Sequence, residues 1–137
     1  MLQLEQVYVS DYMNVATDKQ KSYIEIAWLK QPSSEIYRKE VKWVTNLVAQ
    51  EKITRALYDS RGRSYIEIGD QNWFIQEIIP TFSGNNLRLA FCLNPITLST
   101  MDFYRVEDAI SADADLKKRI QFETFLTREE AHSWLFQ

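Results

Sequence analysis

The chain has 137 residues, 45% of them hydrophobic and 26% charged, with a formal net charge of −3. That suffices for one domain with a buried core, and three glycines and three prolines leave little room for linkers. The negative balance excludes general nucleic-acid binding, which needs a positive surface against phosphates, and the single cysteine, Cys92, excludes an internal disulfide or a zinc site built from several thiolates.

The first elements read as strands. Residues 6–10 and 13–17 are short extended runs, with Asp11 or Asp18 able to turn the chain. Residues 22–28 alternate, placing Ile24, Ile26 and Trp28 on one face of a half-buried strand antiparallel to its predecessor. Gln31-Pro32-Ser33-Ser34 starts a helix: a serine oxygen accepts from the free N–H groups of the first turn, and Glu35 suits the positive helix end. Tyr37, Val41, Val44 and Val48 recur at helical spacing, and Trp43 and Leu47 widen the stripe.

Residues 53–58 form a short apolar strand that stops at Asp59. Asp70 is expected to cap a second helix carrying Trp73, Ile75, Ile78, Ile79 and Phe82, which Pro80 ends or kinks. Residues 87–93 are nearly continuous in apolar groups, as in a central strand covered on both faces. Asn94-Pro95 turns the chain, and Ser99 or Thr100 starts a third helix with Phe103, Val106 and Ile110 inward. Lys117-Lys118-Arg119 follows Asp113 and Asp115 and reads as a solvated turn. Residues 120–125 are the last strand. Thr127 and Glu130 form a capping box, each side chain satisfying the other's backbone N–H, and Ala131, Trp134 and Leu135 are the final helix's inner stripe. The order β-β-β-α-β-α-β-α-β-α predicts a single α/β domain over residues 1–137. Its sheet is mixed, largely parallel with right-handed crossovers, and edged by the opening antiparallel hairpin.

No catalytic or metal-binding constellation stands out, so neither an enzyme nor a cofactor is expected. His132, the one histidine, falls beside the inner stripe and should face water, too exposed for a triad base. Cys92 lies inside the central strand as a small apolar group. Glu67 and Asp70 are close in sequence but lack a third ligand. Arg61-Gly62-Arg63 has too few glycines for a phosphate loop. The best contact surface is Asp59-Ser60-Arg61, with Arg63 and Asp70, because the carboxyl end of a parallel strand is where open α/β sheets bind ligands. The competing reading makes Asp59 and Arg61 an ion pair that only pins the loop. No basic segment followed by an apolar run opens the sequence, and no stretch is long enough to span a bilayer, so a cytoplasmic location is expected.

Four pieces together carry a family resemblance. They are the strand 56–59 with its following Arg61, the Trp73 segment with Pro80, the strand 87–93, and the ending 125–135 with Glu129-Glu130-Ala131 and Trp134-Leu135. From about residue 23 onward the chain resembles the SpoIIAA-like group, which includes the STAS domains and small bacterial STAS/Sec14-like proteins. The resemblance implies a four- or five-stranded sheet with helices largely on one side. It also implies a non-catalytic regulatory role through a protein partner; a homodimer is a further option that the sequence leaves open. Relatives in the sigma pathway are switched by phosphorylation of a serine at the start of a helix. The equivalent stretch here, residues 65–71, holds no serine, so the switch is not expected. The Sec14-type relatives imply the other alternative, a small apolar or amphiphilic ligand.

Overall fold

The computed structural model describes residues 2–84, 86–100 and 103–137, with the backbone alone at Ser83, Gly84, Thr100 and Phe103. The strands are β1 (Glu5–Val9), β2 (Met13–Asp18), β3 (Tyr23–Trp28), β4 (Arg55–Asp59), β5 (Leu87–Cys92) and β6 (Ile120–Phe125). The helices are α1 (Ser34–Gln50), α2 (Ile68–Trp73), α3 (Pro95–Thr100), α4 (Phe103–Ser111), α5 (Ala114–Arg119) and α6 (Arg128–Leu135). All six strands form one sheet in the order β1-β2-β3-β4-β5-β6. β1–β2 and β2–β3 are antiparallel, and the pairs from β3 to β6 are parallel. The six strands read from the residues are therefore present, one or two more than the family resemblance implies.

Because successive parallel strands step in one direction, right-handed crossovers put their helices on one face. The main core lies there. Met13, Val15, Ile24, Ile26, Trp28, Tyr58, Leu89 and Phe91 from the sheet meet Val41, Val44 and Val48 of α1, Phe74 and Ile78 after α2, and Val106 and Leu116 of α4 and α5. The opposite face carries α6. Ala131 and Leu135 pack there on Tyr23, Leu57, Ala90 and Cys92. β5 is thus buried on both sides, which explains its nearly continuous apolar run.

Several local expectations are corrected. Glu67, not Asp70, occupies the N-cap of α2, and Asp70 sits inside the first turn. Pro80 does not stop this segment. α2 passes into a π-helical turn at Phe74–Ile78 and then a 3-10 stretch at Ile79–Gly84. Proline donates no hydrogen bond, so the ladder changes pitch ahead of it, and the Thr81 hydroxyl donates to the Ile78 carbonyl at 2.6 Å. The expected third helix, with Val106 and Ile110 inward, is α4, whose start falls at the edge of the described residues; Ser99 lies instead inside a separate short helix, α3, that begins at Pro95. Asn94 Oδ1 accepts from Thr97 N at 2.9 Å, and proline suits the first helical position because its missing N–H would be free there anyway. The inward placement expected for Phe103, and the start at Thr100, fall on side chains outside the described residues. The basic run 117–119 ends a short helix, α5, capped by Asp113, and Arg119 pairs with Asp115 at 2.9 Å. Trp43 leaves the stripe of α1 and stacks on Tyr8 of β1 with ring centroids 4.4 Å apart.

Thr127 caps α6, its hydroxyl oxygen accepting from Glu130 N at 3.2 Å. The return bond differs from a capping box: Thr127 Oγ1 donates to Glu130 Oε1 at 2.9 Å, so the carboxylate takes the hydroxyl rather than the Thr127 N–H. Thr127→Ala is expected to cost about 1 kcal/mol. A denaturation midpoint identical to that of the parent chain would dismiss the cap.

Candidate functional site

The carboxyl ends of β3, β4 and β5 converge on a small cavity. Trp28 ends β3, Tyr58 and Ser60 flank the end of β4, and Phe91 and Leu93 flank the end of β5. With Tyr37, Val41, Ile66, Gln71 and Phe74 from the helix layer, they enclose about 20 Å3. That holds a group the size of a water. Arg63 projects into this wall and is only 3% exposed. Its guanidinium lies over the rings of Tyr37 and Trp28, 4.6 and 5.6 Å from their centroids. Burial pushes the Arg63 pKa below its ordinary value and the Tyr37 phenol up to about 12. Arg63 Nε, Arg63 Nη2 and the Tyr58 hydroxyl are buried without a hydrogen-bond partner among the described residues.

The loop that carries Arg63 is tightly held. Arg63 N donates to Ser60 O at 3.1 Å, and Ser60 N donates to Cys92 O at 2.8 Å. Asn94 Nδ2 donates to the carbonyls of Arg61 and Arg63 at 2.8 and 3.1 Å. Gln31 Oε1 accepts from Ser64 N and Tyr65 N at 2.9 and 3.3 Å.

The five candidate contact residues divide into three settings. Ser60 and Arg63 line the cavity. Asp70 is buried beside α1, accepting from Ser34 Oγ at 3.1 Å and from Arg38 Nε at 3.2 Å. Asp59 and Arg61 form a two-pronged ion pair, Nε to Oδ1 at 2.9 Å and Nη2 to Oδ2 at 2.8 Å. Asp59 also accepts from Arg61 N at 3.1 Å, so the pair closes on its own loop. The carboxylate pushes the Arg61 pKa further up. Since the Arg61 side chain is 41% exposed, Arg61→Ala is expected to cost only about 0–1 kcal/mol. A loss well beyond that in a urea titration would mean the pair anchors the loop.

On the other face, His132 is not in water. Its Nε2 lies 2.8 Å from Tyr23 Oη and 3.3 Å from Glu25 Oε1. Tyr23 Oη donates to Glu25 Oε1 at 2.8 Å, so the proton between Tyr23 and His132 belongs to the imidazole. Arg128 Nη2 meets the same carboxylate oxygen at 2.5 Å. The reason is the strand register. β3 presents Glu25, and not only apolar groups, to α6, so a polar side chain next to the apolar stripe finds a partner on the sheet. Burial and the Arg128 guanidinium lower the His132 pKa, outweighing the pull of Glu25. The unfolded ring titrates near 6.5 and takes its proton first, so stability is full above that value and falls as pH drops through it. His132→Gln should flatten this part of the profile. An equal slope in both proteins would exclude His132 as its source.

Burial pushes the Cys92 thiol up to about 11, away from the reactive thiolate. Among the described residues no group of three or more His, Cys, Asp or Glu side chains is placed to hold a metal ion, and no helix is long and apolar enough to cross a membrane. No known protein family, curated protein or solved structure matches this chain.

Proposed function

We propose that this domain is a non-catalytic regulatory module of the SpoIIAA-like type, which docks a protein partner against the carboxyl end of its sheet. The observation that carries this reading is an apolar rim. Leu29 follows β3, Tyr65 and Ile68 follow β4, Ile96 and Leu98 follow β5, and Leu126 follows β6, all of them exposed. Ile68 and Ile96 are 61% and 65% accessible. Scattered apolar residues are ordinary, but a set after each parallel strand, on one end of the sheet, forms a contact surface.

The alternative is a small apolar or amphiphilic ligand, held as in Sec14-type proteins. A ligand pocket of that kind takes about 300 Å3 or more. The cavity at the strand ends encloses about 20 Å3, and a hollow of about 450 Å3 beside Phe136 is open. These volumes favour the protein partner. A phosphorylation switch at the start of α2 forms no part of the proposal, since Glu67 holds the N-cap and Ser60 is buried.

Native mass spectrometry of the protein purified from cells that make it tests the reading. The expected result is a stoichiometric protein complex that the doubly substituted Ile68→Glu, Ile96→Glu chain loses while melting at the parent temperature. A small molecule retained by both proteins, with no protein partner, would transfer the case to the ligand alternative.

A further inference from the structure

We propose that Arg63 and Tyr58 form a receptor for one carboxylate group. The argument starts from which atoms lack partners. Nε and Nη2 are the two nitrogens on one edge of a guanidinium, and their N–H bonds run parallel. That edge is the fork that matches both oxygens of a carboxylate. In Arg63 both of these nitrogens are buried without partners, and the nearby Tyr58 hydroxyl is a third free donor. All three belong to residues lining one cavity at the carboxyl ends of three parallel strands.

Buried donors without acceptors are rare because each loses its hydration for nothing in return. A water in the cavity would satisfy one or two of these donors, but it would leave the cation without a counter-charge. The aromatic faces of Tyr37 and Trp28 compensate only part of that. Asp70, the buried acid near Arg63, is already held by Arg38 and Ser34. A planar, singly charged, two-oxygen group therefore matches these donors better than a bulkier, doubly charged phosphate, and it enters the water-sized cavity only when the wall opens. Access requires the segment 64–67 to lift, because Ile66 forms part of the wall and Gln31 fastens Ser64 and Tyr65.

The inference rests on the docking reading only for the carrier of the carboxylate, an acidic side chain of the partner rather than a free organic acid. Free probes separate the two questions. The parent chain, labelled for arginine Nε–H resonances, is titrated with sodium acetate and sodium benzoate against sodium chloride at matched ionic strength. Saturable movement of the Arg63 resonance by the carboxylates, in the millimolar range, is the expected result. Tyr58→Phe removes one donor without changing the packing and should weaken binding about tenfold. Arg63→Lys keeps the charge but loses the fork, and should abolish saturation. If Arg63→Lys fails to fold, Tyr58→Phe still reads the site. Equal movement by chloride, or no saturation, would mean that the cavity holds water only and would overturn the proposal. A carboxylate site that survives in the Ile68→Glu, Ile96→Glu chain, whose own failure to lose a partner would sink the docking reading, leaves this inference standing with a free acid as the ligand.

Discussion

Replacing Gly62 with alanine is expected to destabilise the protein by about 3 kcal/mol or more, well above a typical surface change. No positive φ demands glycine here; the need is for space. A Cβ at this position would stand 2.1 Å from the Trp28 carbonyl oxygen and 3.1 Å from its carbon. Neither atom can yield, because Trp28 is the last residue of β3 and is paired with Met13 in the sheet. The 60–63 turn would have to move instead, breaking the bonds from Asn94 and shifting both Arg61 and Arg63. Gly69→Ala is the control. Its nearest neighbour would be Arg38 Nη2 at 3.9 Å, an ordinary contact, and alanine is favoured over glycine inside a helix by about 0.5–1 kcal/mol. Thermal melting of the two variants should therefore move in opposite directions. A Gly62→Ala protein that melts with the parent would refute the close approach of β3 and the turn.

Truncating Phe74 to alanine is expected to cost about 3–5 kcal/mol, and truncating Trp73 clearly less. Phe74 is 3% exposed and packs against both Tyr58 and Phe91, with ring centroids 6.1 and 5.9 Å away. Phe91 in turn meets Phe122 edge-on at 5.2 Å. Removing Phe74 strips the ring that the helix layer packs onto these strand aromatics, and rigid neighbours do not collapse to refill the space. Trp73, which the sequence suggests as the core residue, is half-buried. It meets Tyr37 edge-on at 5.8 Å and is covered by the Arg38 guanidinium. Urea titrations of the two alanine variants decide the order; a larger loss for Trp73 would place the core one residue earlier on the helix.

Strands and crossovers were legible because their signals are local. Ile24, Ile26 and Trp28 alternate, residues 87–93 are nearly continuous in apolar groups, and α1 carries a full 3.6-residue stripe. The second helical segment was harder. A single period cannot describe an α-turn, a π-turn and a 3-10 stretch in succession, so Trp73 and Phe74 exchanged places relative to the core. Asn94-Pro95 carries a readable signal, an N-cap followed by proline, although the same pair also suits a plain turn. His132 was missed because an amphipathic stripe says nothing of polar groups on the facing strand. At the site, the two-residue spacing of Asp59 and Arg61 already suggested their pairing. The burial of Arg63 did not show, because charged loop residues are mostly exposed and only tertiary packing places this one under Trp28 and Tyr37.

The strictly sequential strand order has a consequence for how the chain is born. Every strand from β2 to β6 pairs with the one made just before it. No strand is inserted between two others, and none waits for a segment still to be synthesised. Synthesis runs from the N-terminus, so each emerging strand has its pairing partner already made. The open edge advances through the sheet with synthesis. α6, which follows all six strands, packs on the second face over Tyr23, Leu57, Ala90 and Cys92.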